Sequence, residues 1–168
     1  MKRKLLSFAL VLVLLCCLCV PVWAADVQYK TTKSFLEVLD AEDCEYKFIG
    51  VDQGDYEELT VEFEGDYLDS ITADIFFNAD GDVVSMRVWD LITIDEKDYA
   101  DVMKAINDLH RQYKFVCFAV DTDDWTVYAT LDAPLRECDE AGDIAADAVY
   151  YLVNIADRGY QALKDFAV

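Results

Sequence analysis

Residues 70–92 read SITADIFFNADGDVVSMRVWDLI, and this stretch decides the fold. Two runs of alternating apolar and polar residues flank Asp80-Gly81, a two-residue turn signal, so the pattern predicts an antiparallel hairpin. With Asp80 and Gly81 as the turn, Phe77 faces Val84, Ile75 faces Met86 and Ala73 faces Val88, all on one side. The other side pairs Phe76 with Ser85, Asp74 with Arg87 and Thr72 with Trp89. One face is apolar and the other carries an acid–base pair. A slip by one residue would exchange the two faces and lose both features.

Downstream, residues 95–113 put Tyr99, Val102, Met103, Ile106, Leu109 and Tyr113 on one stripe, with Asp95, Glu96 and Asp98 in the first turn, where the helix dipole favours acids. A second hairpin follows, with Asp123-Asp124 as its turn pair. In that register Val120 faces Val127, Phe118 faces Ala129 and Val116 faces Leu131, while Phe115, Cys117, Ala119, Tyr128 and Thr130 take the other side. After Pro134 the spacing predicts a long helix from about Asp139 to Phe166, with Ile144, Ala148, Tyr151, Leu152, Ile155 and Leu163 inward. Upstream, Phe35, Val38 and Leu39 fall at helical spacing between Thr31 and about Asp43, with Thr31, Thr32 or Ser34 as a cap. Tyr46 and Phe48, then Leu59, Val61 and Phe63, alternate as strands do, with a loop over residues 52–55.

The order is helix, three or four strands, helix, two strands, helix. Hairpin links make the sheet mainly antiparallel, and amphipathic helices need one face of it. The expected fold is therefore α+β: a two-layer sandwich of about five to six strands with three helices on one face. Both hairpin registers then send Phe76, Trp89, Leu91, Phe115, Cys117 and Tyr128 to the face away from the helices. A solvated face should be mostly polar, so these six form the expected partner or dimer face.

The first residues carry the parts of an export signal: Lys2, Arg3 and Lys4, an uncharged apolar run from Leu5 to Val20, then Pro21-Val22-Trp23-Ala24 before Ala25. The run has 16 residues, short of the roughly 18 or more of a membrane-crossing helix, so cleavage after Ala24 is expected and stable membrane insertion is not. Residues 1–24 are thus the signal peptide and 25–168 a single domain, exported to the periplasm, cell envelope or medium. Cleavage removes three bases and no acid, which takes the formal charge from −20 to −23. Such a field repels nucleic acid and anionic head groups.

Three cysteines remain after cleavage, Cys44, Cys117 and Cys138, which allow three choices of one disulfide. Cys44 follows the first helix and Cys138 opens the third, on the helix side, whereas the hairpin register puts Cys117 on the other side. Any internal disulfide is expected to be Cys44–Cys138. There is no Cys-x-x-Cys and His110 is the single histidine, so no metal or cofactor site is expected. Asp121, Asp123 and Asp124 sit at a hairpin tip, where water keeps acids ionised and turns prefer Asp. Asn78, Asp80 and Asp82 have the opening spacing of a calcium loop, but Val83 stands where that loop needs Gly and Trp89 where it needs a bidentate acid. His110 lies near a helix end beside Arg111, where a cation suits the dipole. No catalytic residue is assigned.

The stretch Ile106-Asn107-Asp108-Leu109 to Tyr113-Lys114-Phe115, the hairpin from Phe118-Ala119-Val120-Asp121, and the closing helix around Tyr151-Leu152-Val153-Asn154-Ile155-Ala156-Asp157 carry a resemblance to the YbjN-like family. That family is described as bacterial sensory transduction regulators, with a fold similar to type III secretion chaperones. The second hairpin departs from the expected Asp-Gly-type turn, with Asp123-Asp124-Trp125 in its place. The resemblance implies a regulatory or chaperone-like binding role and supplies no active site. Because chaperones of that fold are dimers, the first partner it implies is a second copy. The expectation is a non-catalytic protein-binding module, against two alternatives: a secreted hydrolase using carboxylates, and a calcium-responsive envelope structural protein.

Overall fold

The computed structural model describes residues 27–51, 54–135 and 140–168. The expected signal peptide and Cys138, and with it the expected Cys44–Cys138 pairing, lie outside the described residues. Helix α1 (Lys30–Ala41) leads into strands β1 (Tyr46–Val51), β2 (Tyr56–Phe63), β3 (Ile71–Asn78) and β4 (Val83–Thr93). A 3-10 turn (Glu96–Asp98) opens α2 (Tyr99–Gln112). Strands β5 (Cys117–Asp121) and β6 (Thr126–Pro134) follow, then α3 (Ala141–Leu163) and a final 3-10 turn (Lys164–Phe166). The fold is α+β, with every paired strand antiparallel to its neighbour.

Both hairpin registers are those the alternation predicts near the turns, but pairing stops short of the expected Ala73–Val88, Thr72–Trp89 and Val116–Leu131 pairs. Phe77 pairs with Val84, Ile75 with Met86, Phe76 with Ser85 and Asp74 with Arg87. Val120 pairs with Val127 and Phe118 with Ala129. The first turn is wider than two residues: β3 ends at Asn78 and β4 starts at Val83, with the Gly81 N–H donating to the Asn78 carbonyl at 3.0 Å. Asn78 also closes the loop from its side chain, its Oδ1 accepting the N–H groups of Asp82 and Val83. The second turn puts Trp125 at φ +62°.

The sheet order is β1-β2-β3-β4-β6-β5, which no local pattern announces. Strand β6 lies between β4 and β5, so those two point the same way and their link must cross over the sheet. Helix α2 makes that crossover. At the resulting edge, His110 of α2 accepts the Phe118 N–H on Nε2 at 2.8 Å, which occupies a donor that an edge strand would otherwise leave bare.

One face of the sheet is fully covered. Ala73, Ile75, Phe77, Val84, Met86, Val127 and Ala129 are each 0 % exposed, and they join Phe35 and Leu39 of α1, Val102 and Ile106 of α2, and Val149, Leu152 and Leu163 of α3 in one core. The inward side of α3 corrects the expected stripe. Ile144 is 38 % and Tyr151 40 % exposed, while Ala141, Ala145, Ala146 and Ala156 are buried. Small residues let α3 lie close to its neighbours, and the larger Ile144 and Tyr151 are turned out. The cap of α1 is also not the expected one. Tyr29 is the N-cap and makes no side-chain cap bond; Thr31 and Thr32 are buried. The carboxylate of Glu57, fully buried on β2, instead accepts the N–H groups of Gln28 and Tyr29.

Candidate functional site

On the face away from the helices the register aligns short rows across the strands. Phe76 stands between Glu58 and Ser85, and Asp74 between Thr60 and Arg87. Thr130 lies between Arg87 and Cys117, and Tyr128 beside Ala119. Of the six residues expected here, Trp89, Tyr128, Phe76 and Cys117 do lie on this face. Trp89 is 45 % exposed, and its ring centroid is 5.1 Å from that of Tyr128. Phe76 is half-buried and Cys117 exposed. Phe76 pairs four residues along β4 from Trp89, roughly 13 Å away at the rise of a strand, so the apolar side chains are not one continuous patch.

The polar groups rearrange the expected pairing. Arg87 is opposite Asp74 in the register, yet its Nη1 bonds Oδ1 of Asp132 on β6 at 2.9 Å. Asp74 and Trp89 line the same cleft, and the indole N–H is the only donor that the Trp89 side chain offers. Burial pushes the Asp74 carboxyl above its ordinary value, and the nearby indole N–H opposes that rise. Trp89 thus links an aromatic contact on one side to a partly desolvated carboxyl on the other.

Leu91 does not belong to this face. Pairing between β4 and β6 jumps from Val88–Ala129 to Ile92–Val127, so three residues of β4 oppose Tyr128 alone, and Asp90 takes φ +52°. A bulge of this kind breaks the alternation that the register argument relies on. Leu91 is turned into the core, 6 % exposed. The same bulge carries β4 away from β3, whose pairing with it stops at Asp74–Arg87. A cleft of about 340 Å³ opens between Ile71, Thr72 and Asp74 on one side and Val88, Trp89, Asp90 and Leu91 on the other. Phe115 is misplaced by the register as well. It precedes β5 in irregular chain at φ +69°, is 82 % exposed, and lies at the rim beside Ala148 and Tyr151 of α3 rather than with Trp89.

The candidate catalytic and metal groups serve the chain itself. Asp121 Oδ1 accepts the Asp123 N–H at 2.9 Å, and Asp124 Oδ1 accepts the Thr126 N–H and hydroxyl at 3.1 and 2.8 Å. Asn78 Nδ2 donates to Asp82 Oδ1 at 2.6 Å across the first hairpin turn. Among the described residues no three His, Cys, Asp or Glu side chains converge as metal ligands. Cys44 Sγ lies 3.3 Å from the Tyr150 hydroxyl, which donates to Glu42 at 2.6 Å; these two bonds, with burial, hold the Tyr150 phenol well above the usual tyrosine range. A phenol so held keeps its proton and is a poor acid.

Two buried carboxylates went unnoticed in the sequence. Glu57 occupies the core-facing parity of β2 with Leu59 and Val61, and Asp157 lies on the buried side of α3 at 5 % exposure. Asp157 accepts the N–H groups of Asp66, Tyr67 and Leu68 at 2.9, 3.1 and 2.9 Å and so clamps the β2–β3 loop onto the helix. The signal that reveals both is a carboxylate on an otherwise apolar face. No described helix is long and apolar enough to cross a membrane. Comparison of the chain with models of known protein families and with curated proteins gives no match.

Proposed function

We propose that this chain is an exported, non-catalytic protein-binding module of the YbjN-like kind, with a chaperone-like or regulatory role, and that it engages its partner through the open face of the sheet at Trp89. The observation that carries this reading is Trp89 itself: 45 % exposed, packed against Tyr128, beside Asp74, and walling the cleft between β3 and β4. Tryptophan anchors with a polar neighbour and an adjoining recess are typical of residues that dominate binding energy. The covered face of the sheet accounts for the core, so the fold does not require an exposed tryptophan there. The family reading rests on the residues quoted for it above and on the element order.

Crosslinking in native envelope or culture fluid, followed by capture of the protein, is the test. A defined protein partner, or a second copy, supports the reading. Turnover of a substrate in a broad hydrolase screen, lost on Asp121→Asn or Asp124→Asn, would replace it with the carboxylate hydrolase. Saturable calcium binding by calorimetry at physiological salt would favour the calcium-responsive alternative.

A further inference from the structure

Helix α3 is apolar on more sides than the core needs. Its inward side buries Ala145, Val149, Leu152 and Ala156, and yet the exposed Ile144 and Tyr151, with half-buried Ala148 between them at spacings of four and three, form a second apolar stripe. Phe115 extends this stripe. It is the most exposed large hydrophobic residue described, at 82 %, and is held at φ +69°, a conformation a bulky residue seldom adopts. With Leu131, Ala133 and Pro134 of β6, Phe115, Ala148 and Tyr151 line a groove of about 420 Å³. That size suits one large side chain and the backbone around it.

Among the described residues, the groove's charged residues are both acids, Asp132 and Asp147. Asp132 is engaged by Arg87, whereas Asp147 makes no ion pair among the described residues. We infer that this groove binds a short basic and apolar segment of a partner protein, a leucine- or phenylalanine-sized side chain entering beside Phe115 and Tyr151 while a neighbouring lysine or arginine meets Asp147. Charge selects this occupant over the others. The chain carries −20, which repels anionic lipid and nucleic acid, and a symmetric contact between two copies would set these carboxylates against their own equivalents. The groove is a different surface from the Trp89 face, so the inference goes beyond the function proposed above.

The probe is a short fluorescein-labelled leucine–lysine peptide, followed by anisotropy with the full protein, and compared with a serine–lysine peptide of equal length and charge. The leucine–lysine peptide binds saturably and the serine–lysine peptide at least about tenfold more weakly. Phe115→Asn, which removes the ring while suiting the left-handed backbone, and Tyr151→Ser each weaken binding about tenfold or more. Asp147→Asn weakens it several-fold, whereas Asp123→Asn, which removes the same charge at the distant hairpin tip, does not. Equal binding of both peptides, or undiminished binding by Phe115→Asn, overturns the inference, as would sedimentation showing that Phe115→Asn dissociates a dimer. Trp89→Glu should bind the peptide as the wild type does. If that variant alone loses it, the groove is excluded while the proposed sheet-face function stands.

Discussion

Replacing Asp157 by alanine removes the acceptor that fixes the β2–β3 loop to α3. Three backbone donors, of Asp66, Tyr67 and Leu68, converge on this 5 % exposed carboxylate at 2.9–3.1 Å. Hydrogen bonds to a charged acceptor contribute about 1.5–3 kcal/mol each, which would set an upper bound near 9 kcal/mol if they were additive. They are not. The loop's outer side is open, since Tyr67 is 46 % exposed, so water can take up part of what is lost, and removing a buried charge also returns its desolvation cost. The net loss should be about 3 kcal/mol. With a urea slope of about 2 kcal/mol/M, the unfolding midpoint followed by far-UV circular dichroism falls by about 1.5 M. Hydrogen exchange at residues 66–68 should accelerate beyond that global change. Gly65 supplies an independent check, because a Cβ there would lie 2.5 Å from Asp157 Oδ1 and 2.7 Å from the Leu68 carbonyl oxygen. Gly65→Ala therefore strikes the same contact, and the double variant with Asp157→Ala should cost less than the sum of the two. A loss below about 1 kcal/mol for Asp157→Ala, with unaltered exchange in the loop, would refute the clamp.

Gly159→Ala tests the packing of α3 on the edge strand: its Cβ would stand 2.4 and 2.5 Å from Cε1 and Cζ of Phe118, so the variant should lose about 1–3 kcal/mol in urea unfolding, where an uncrowded helical site would gain about 1. Asp74 gives a pH test. Its folded-state value is raised by burial, so its contribution to stability is fully present below the ordinary value of 3.8 and is lost as pH rises through the higher folded value. The wild type should lose stability relative to Asp74→Asn across that window, and a difference that stays flat with pH would contradict the assignment.

Much of this fold was legible because strand parity is strict. Phe77 opposite Val84 and Val120 opposite Val127 follow from a period of two and a turn position, and each pair forms. The same rule failed where the strand stops being regular. Leu91 follows a bulge whose turning residue is Asp90, with no glycine to announce it, and Phe115 lies two residues before β5 begins. On α3 the apolar residues extend too far round the helix for periodicity to choose a side; the choice falls to volume, with alanines inward and Ile144 and Tyr151 outward. The position of β6 between β4 and β5 depends on contacts distant in sequence. The candidate site was legible to the extent of Trp89 and Tyr128. The placing of Trp89 beside Asp74 and the cleft they line come from the splaying of β3 from β4, which no alternation encodes.

The open sheet face around Trp89 is either the proposed binding face or misplaced core. Sedimentation velocity of the wild type and of Trp89→Glu, with far-UV circular dichroism on both, separates the two most directly. The substitution puts a charge beside Tyr128 and Asp74 on a residue that is 45 % exposed, outside the buried cluster. A binding face there gives a wild type that self-associates or sediments with its partner, and a variant of lower apparent mass with an unchanged spectrum. A wild type that is monomeric and captures nothing through this face, or a Trp89→Glu variant that unfolds, would contradict it.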